Sequence, residues 1–284
     1  MTEIPVTVRQ KGGSNLKYTS AFVCMLAALA AVSPSDAAKP TSCAATFAGR
    51  IAYTTGVIHI CDGATGADVN TGVSGVNPKF SPDSSLIVYQ NAGVNVMSSV
   101  APFAHWVVTA SGETPSFDSS GTQIAFGNSG IWKINLDGTG LTQLTHDGGH
   151  QPSWSANGTQ IAYNATAGGP QQVFLVDADG TNPHQVLTTS GSVIDTVWRP
   201  SPKILFGILQ ANNNYELYSY DPTNPASLTR LTTIRGNDDE PSWSPDGTRI
   251  SWTSGSSGIR IMNADGTNQQ GPVIANGRQG SWGN

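Results

Sequence analysis

The sequence predicts an all-β fold, a six-bladed β-propeller built from four-stranded antiparallel blades and closed by its C-terminal strand. Three observations support this prediction. A short phrase recurs along the chain, its period matches the length of one propeller blade, and its two halves are divided between the two ends of the chain.

The repeated phrase begins with Pro-Ser-aromatic and ends in an apolar run. Its clearest copies occupy residues 115–126, 152–163 and 241–252, and weaker copies centre on Phe80 and Trp198. In the clear copies a polar turn ending in glycine separates the two runs, and glycine adopts the positive φ that such a turn needs. Each phrase therefore predicts a β-hairpin formed by the first two strands of a blade.

A second turn, Asp-Gly-Thr, follows the hairpin in three repeats, at 137–139, 179–181 and 265–267. We expect a third strand before this turn and a fourth strand after it, so that each repeat supplies four short strands. The predicted third strands are 131–134, 173–176 and 259–262, and the predicted fourth strands include 141–145 and 185–187.

The first-strand aromatic residue recurs in steps of 37 to 45 residues, which is the period of a four-stranded blade. The second half of the phrase stands alone at 50–53, and the first half stands alone at 280–282. A C-terminal strand that completes the first blade would remove two exposed sheet edges. We expect the recurring aromatic residues to pack between blades: Phe80, Phe117, Trp154, Trp198, Trp243 and Trp282. Trp106 and Trp132 lie outside the pattern, and we expect them in the core, with an exposed partner-binding role as the alternative.

The phrase Pro-Ser-Trp-Ser-Pro-Asp-Gly, followed by Ile-Ala-Tyr and then Asp-Gly-Thr, resembles the repeat of the TolB-like propellers, relatives of the WD-repeat family. The resemblance covers about residues 44–284. It departs from the family at 94–112, where the Asp-Gly turn is missing, and the chain has no room for the additional α/β domain that TolB carries before its propeller. Propellers host many activities, so the resemblance implies the fold more strongly than the function.

Residues 1–37 are typical of a secretory signal peptide. Basic residues precede an apolar stretch at 21–32, and Ser35-Asp36-Ala37 offers small residues at a cleavage site. A membrane anchor is the alternative, but twelve apolar residues span only about 18 Å as a helix. We expect residues 38–284 to form one propeller domain that is periplasmic or secreted.

Composition argues against several partner classes. The chain carries 14 Lys and Arg against 19 Asp and Glu, a formal net charge of −5, and its basic residues are scattered. This pattern disfavours nucleic acid and anionic membranes as partners, and we expect no stable membrane insertion. We expect a monomer without a cofactor. Cys43 and Cys61 follow the signal segment, and in an exported protein they predict a disulfide, with two buried thiols as the alternative.

Catalytic motifs are absent from the sequence. It contains no Gly-x-Ser-x-Gly elbow, phosphate-binding loop or dinucleotide fingerprint. His146 and His150 bracket a short loop and offer two metal ligands at most, and hydrogen bonding to nearby backbone is the simpler role for them. No catalytic or metal-binding residue is predicted.

Polar residues precede the first strand of every blade, where the fourth-to-first-strand loops of a propeller meet the central channel. We predict that they surround the channel mouth and bind a protein partner or a small cationic ligand, because converging carboxylates favour cations. Solvated loop residues around a water-filled channel are the alternative. The predicted residues are Asn77, Glu113, Thr114, His150, Gln151, Asp195, Asp239, Glu240, Arg278 and Gln279.

The family resemblance implies a non-catalytic platform that binds a protein or ligand on one propeller face. The alternative is a carbohydrate-active lyase or hydrolase that uses the channel mouth, since oligogalacturonate lyases have a similar repeat with a metal held by several histidines. Here only His150 lies near the predicted mouth. A secreted adhesion module is a third possibility.

Overall fold

The computed structural model describes residues 43–198, 200–233 and 236–284. The predicted signal peptide, residues 1–37, lies outside these residues. Within the described ranges no helix is long and apolar enough to cross a membrane. In these same ranges the regular structure consists of β-strands, apart from a single 3₁₀ turn at Pro225–Ser227.

The strands are short and follow one another along the chain. In order they are β1 Arg50–Thr54, β2 Val57–Asp62, β3 Asp68–Ser74, β4 Val76–Phe80, β5 Leu86–Gln90, β6 Val94–Ser98, β7 His105–Thr109, β8 Glu113–Phe117, β9 Gln123–Gly127, β10 Ile131–Asn135, β11 Thr142–Gln143, β12 His150–Trp154, β13 Gln160–Thr166, β14 Gln171–Asp177, β15 His184–Gln185, β16 Val193–Val197, β17 Ile204–Leu209, β18 Tyr215–Tyr220, β19 Thr229–Arg230, β20 Asp238–Trp243, β21 Arg249–Ser254, β22 Gly258–Asn263, β23 Gln270–Ala275 and β24 Arg278–Gly283.

These strands form six four-stranded antiparallel sheets, which confirms the predicted six-bladed propeller. The first blade has the order β24-β1-β2-β3, and the second to sixth blades are β4–β7, β8–β11, β12–β15, β16–β19 and β20–β23. Blade neighbours are therefore also chain neighbours, except where the last blade meets the first. The first strand of each blade lines the central channel.

The polar turn of the repeated phrase shapes the hairpin between the first and second strands. In the sixth blade the Asp246 carboxylate accepts hydrogen bonds from the Ser244 hydroxyl (2.6 Å) and the Thr248 N–H (3.0 Å). The Arg249 N–H donates to Ser244 Oγ (2.9 Å), and Gly247 has φ 68°. The side chains thus satisfy backbone groups that the strand ladder leaves unpaired, which explains the constancy of the phrase.

The recurring aromatic residues are buried between blades, as predicted. Each exposes at most 6% of its surface. Phe80 of the second blade packs with Ile58 and Ile60 of the first blade, and Trp282 packs with Ile259 and Ile261 of the sixth. The inner strand of every blade therefore contributes one large side chain to the interface with the preceding blade.

Trp106 and Trp132, the tryptophans outside the repeat pattern, differ in burial. Trp132 is half-buried beside the core cluster between the second and third blades, and its indole N–H donates to the Asn128 carbonyl (2.9 Å). Trp106 lies on β7 and is 39% exposed, so the expectation of a core role is wrong for this residue. Its strand is the outer edge of the second blade, where one face of the sheet meets solvent.

Ring closure by the C-terminal strand is confirmed. β24 pairs antiparallel with β1, with Ile51 opposite Trp282 and Ala52 opposite Ser281. The Trp282 indole N–H donates to the Ala48 carbonyl (2.8 Å), and the Trp282 backbone N–H donates to Ser242 Oγ of the neighbouring blade (3.1 Å). The last strand thus fills the place that the N-terminal half-repeat leaves open.

The outer strands are shorter than the sequence suggests. The sequence predicts strands at 141–145 and 185–187, but only Thr142–Gln143 and His184–Gln185 pair with their neighbours. The N–H groups of Leu144 and Thr145 both donate to the Ile131 carbonyl, and this shared bond ends the regular ladder as Leu144 turns into the core. Burial of the Leu144 side chain therefore ends this strand earlier than the sequence predicts.

The predicted disulfide is confirmed. Cys43 and Cys61 are bonded, with their Cα atoms 5.6 Å apart. Cys61 lies on β2, the third strand of the first blade counted from the channel, and Cys43 forms an isolated bridge with Ile274 of the sixth blade. The bond therefore holds the segment before β1 across the blade interface at which the ring closes.

Candidate functional site

Six polar residues occupy equivalent positions in the innermost strands: Asn77, Thr114, Gln151, Asp195, Glu240 and Gln279. All six have positive φ, between 48° and 57°. This left-handed conformation is uncommon outside glycine, and for a β-branched residue such as Thr114 it is an outlier. Each residue lies where the pairing of the first and second strands shifts register, as in a β-bulge.

The unusual backbone turns each N–H toward the preceding blade, where a side chain accepts it. We call these six residues the belt; Gln90 supplies the additional acceptor for the Thr114 N–H. The hydrogen bonds are Gln151 N–H to Thr114 Oγ1 (3.1 Å), Asp195 N–H to Gln151 Oε1 (2.9 Å), Glu240 N–H to Asp195 Oδ2 (3.0 Å), Gln279 N–H to Glu240 Oε2 (2.9 Å), Asn77 N–H to Gln279 Oε1 (2.9 Å) and Thr114 N–H to Gln90 Oε1 (3.2 Å).

The sequence predicts these six residues before the first strands, at the channel mouth, with solvated loop residues as the alternative, and the structure differs in their position. They lie inside strands, and their side chains hold neighbouring blades together around the channel. Asp195 is engaged on both carboxylate oxygens, since Gln151 Nε2 donates to Oδ1. The sequence carried one signal of this role, because all six residues have a side-chain hydrogen-bond acceptor. The strain in the backbone has no signal in the sequence.

The residue preceding each belt residue forms a second circle, which we call the rim: Val76, Glu113, His150, Ile194, Asp239 and Arg278. Glu113 and Arg278 are exposed, whereas His150 and Asp239 are half-buried. Val76 and Ile194 interrupt the circle with apolar side chains. His146 is exposed, and no group of three or more potential metal-ligating residues occurs in the described ranges.

Burial changes the acidity of two carboxyl groups in this region. It raises the pKa of Asp195 to about 6, with a further increase from the nearby Glu240 charge. The pKa of Asp239 is raised to about 7 by burial and then by Glu240 and Asp195, while Arg278 opposes the shift. Near neutral pH the region is therefore less acidic than its count of carboxyl groups suggests.

A cavity of about 280 Å³ occupies the channel on one side of the belt. It extends along the innermost strands to the turns between first and second strands, and we call that surface the first-turn face. No rim residue lines it. Its lining includes all six belt residues, the strand residues Lys79, Ser116, Ser153, Val197, Ser242 and Ser281, and the turn residues Pro82, Ser84, Ser119, Ala156, Pro200 and Pro245.

The raised pKa values predict a pH dependence of stability. Asp residues titrate near 3.8 when unperturbed, so between pH 8 and 5 the folded chain takes up protons at Asp195 and Asp239 that the unfolded chain does not. Stability should therefore rise as the pH falls through this window, with Tm increasing by on the order of 5 °C.

The measurement is a series of thermal melts between pH 8 and 5. Asp239→Asn should flatten the rise, because it removes one of the two titrating groups. Asp137→Asn is the matched control, since Asp137 is exposed and hydrogen bonds from Thr139 lower its pKa. A wild-type Tm that stays constant or falls over this range would contradict the assignment.

Comparison with solved structures places the fold among known propellers. TolB from Acinetobacter baumannii superimposes with a TM-score of 0.71 at 20% identity, covering 83% of this chain and 67% of that one. A chain from the crystal structure of a nidogen/laminin complex gives 0.67 at 11% identity, covering 82% of this chain and 97% of that one. Oligogalacturonate lyase in complex with manganese gives 0.54 at 14% identity, covering 75% and 69%.

No family model matches the sequence. At these identities the structural likeness concerns the fold alone, because propellers of one architecture carry unrelated functions. The comparisons therefore show that this chain shares the six-bladed architecture found in TolB propellers.

Proposed function

We propose that the protein is an exported, non-catalytic binding platform whose central channel receives a segment of a protein partner or a small ligand. The cavity on the first-turn face supports this proposal. All six blades contribute to it, and its walls combine aromatic and polar side chains, as ligand sites commonly do.

Two further observations agree with a binding role outside the cytoplasm. The structural neighbours include TolB and a propeller crystallised within a nidogen/laminin complex. The Cys43–Cys61 disulfide is of the kind that persists in oxidising compartments, and the signal-like segment 1–37 is of the kind that directs export.

The rim forms the second part of the proposed site. Glu113 and Asp239 would attract a cationic group, and Arg278 would orient an acceptor on the same guest. The belt residues would contact the guest from the cavity side. Glu113→Gln should weaken the binding of a small cationic ligand at the rim, as measured by calorimetric titration. The stability of the variant should change little, because Glu113 is exposed.

Blocking the cavity tests the main proposal. Ser116 lines the cavity, and its hydroxyl makes only a long 3.5 Å contact with the Phe117 carbonyl, so Ser116→Tyr should fill the cavity with little loss of stability. Immobilised wild-type protein and variants would be exposed to extracellular or periplasmic extract, and retained proteins identified by mass spectrometry. We expect a partner that wild type retains and Ser116→Tyr loses.

Ala167→Tyr is the control for this experiment. Ala167 is exposed in the turn between β13 and β14 and does not line the cavity, so the same side chain there should leave capture intact. Equal capture by wild type and both variants would place the binding surface outside the cavity.

The alternative function is a carbohydrate-active lyase or hydrolase that uses the channel mouth. Its support is the structural likeness to oligogalacturonate lyase, which concerns the fold. Release of unsaturated or reducing sugar ends from oligogalacturonate, dependent on the cavity and lost in Ser116→Tyr, would favour it over the binding platform.

A further inference from the structure

Lys79 interrupts a set of small side chains inside the central cavity. It lies two residues after the belt residue Asn77. The equivalent positions in the other five blades hold Ser116, Ser153, Val197, Ser242 and Ser281. Three of the serines accept a backbone N–H from the aromatic residue of the next blade, in the pairs Ser153–Trp198 (3.0 Å), Ser242–Trp282 (3.1 Å) and Ser281–Phe80 (3.1 Å). A serine hydroxyl at this position is therefore sufficient for packing between blades, which does not need the long cationic side chain of lysine.

Among the described residues, three charged side chains line the cavity, and they differ in how they are engaged. Both oxygens of Asp195 accept belt hydrogen bonds, and Glu240 Oε2 accepts the Gln279 N–H. The Lys79 ammonium makes no hydrogen bond or ion pair with any residue in the described ranges. The Asp195 and Glu240 charges act on it only from a distance, and neither side chain provides the acceptors that an ammonium group partly removed from water requires.

Lys79 is half-buried in the cavity, and partial loss of water makes its charge costly. Burial lowers the pKa of Lys79, even though the Asp195 and Glu240 charges act in the opposite direction. A lysine in such a place gains most from a direct anionic partner, because a charge-assisted hydrogen bond is stronger in a less polar environment.

Two hydroxyl groups add donors to the same wall. Ser153 Oγ and Ser281 Oγ each accept a backbone N–H, and within the part of the chain that the structure describes neither O–H group has an acceptor. Together with Lys79 they give the cavity wall a surplus of donors. A ligand group that accepts several hydrogen bonds and carries a negative charge would be complementary to this wall.

We propose that the cavity binds a carboxylate of the guest, either an acidic side chain or the C-terminus of a peptide, with Lys79 as its cationic partner and Ser153 and Ser281 as hydrogen-bond donors. This inference rests on the binding role proposed above and specifies its chemistry. A singly charged carboxylate fits better than a phosphate dianion, because Asp195 and Glu240 already make the cavity negative. The volume of about 280 Å³ lies at the small end of ligand sites and suits one side chain or one chain terminus.

The test uses arrays of acetylated hexapeptide amides with varied flanking residues and Glu, Gln, Lys or phosphoserine at a fixed central position, together with a set that ends in a free carboxylate. Fluorescently labelled mature protein would be applied to them. We expect retention on Glu-centred or free-carboxylate peptides to exceed that on Gln-centred amides by about tenfold. Lys79→Ser should abolish this preference.

Lys79→Ser is chosen because four other blades carry serine at this position, so the strand tolerates it. Lys133→Ser is the matched control, since Lys133 lies on β10 outside the cavity and donates to the Ala178 carbonyl (2.7 Å). It should retain the preference. Thermal melts of both variants would verify folding.

The outcomes separate this inference from the proposed function. If Ser116→Tyr abolishes binding and Lys79→Ser leaves it unchanged, the carboxylate assignment is overturned, while the cavity is supported as the binding site. Binding that neither variant affects would contradict both. Retention confined to Lys-centred peptides, a preference for phosphoserine over Glu, or no retention of any acid-bearing peptide would each overturn the carboxylate assignment.

Discussion

Deletion of Arg278–Asn284 should abolish the cooperative folding of the propeller. The deleted segment contains β24, which pairs with β1 and supplies Trp282 to the interface with the sixth blade. It also removes the Gln279 side chain from the belt. Loss of a buried tryptophan alone costs about 3–5 kcal/mol, and the deletion also exposes the edge of β1. The sum is comparable with the whole stability of a typical domain, about 5–15 kcal/mol.

The measurement is thermal and denaturant unfolding of the truncated chain, followed by far-UV circular dichroism and tryptophan fluorescence. Deletion of Asn284 alone is the matched control. It removes a bond from the Asn284 N–H to Ser84 Oγ and one from Arg50 Nε to the Asn284 carbonyl, but it leaves β24 intact. An unchanged Tm in the seven-residue deletion would refute closure of the ring by the C-terminal strand.

Loss of the disulfide should destabilise the protein by about 3 kcal/mol in the chain-entropy model. The bond closes a loop between positions separated by 18 residues and fixes the segment before β1. For a chain of this length the loss corresponds to a fall in Tm of roughly 6–12 °C. Cys43→Ser is the preferred variant because Cys43 is half-buried, whereas Cys61 is fully buried and a serine hydroxyl there would add a desolvation cost.

Reduction provides the internal control for this prediction. Wild type in a phosphine reductant should melt at about the temperature of Cys43→Ser, and the variant should not change further when the reductant is added. Thiol titration of denatured, unreduced mature protein should detect neither Cys43 nor Cys61. Two titratable thiols, or a variant with the wild-type Tm, would rule the bond out in solution.

Local patterns in the sequence determined the number of blades, the strand order and the role of the last strand. The Asp-Gly and Asn-Gly turns specify hairpins through interactions within five residues, as in the bonds among Ser244, Asp246 and Arg249. The two halves of the phrase, at 50–53 and 280–282, identified the two strands that pair to close the ring, although their distance in space was unknown. The cysteine pair was equally accessible, because exported proteins with two cysteines commonly join them.

The tertiary structure alone decided what the channel residues do. The bond from the Asn77 N–H to Gln279 Oε1 joins positions 202 residues apart, and it exists only because the ring closes. Closure also brings Asp195 and Lys79 into the central cavity, so side chains that the sequence presents as ordinary surface groups acquire shifted pKa values, and Asp195 acquires fixed hydrogen-bond partners. The six belt residues adopt a left-handed backbone for the same reason. That conformation is costly in isolation and persists where the neighbouring blade supplies a hydrogen-bond acceptor, which no local sequence pattern records.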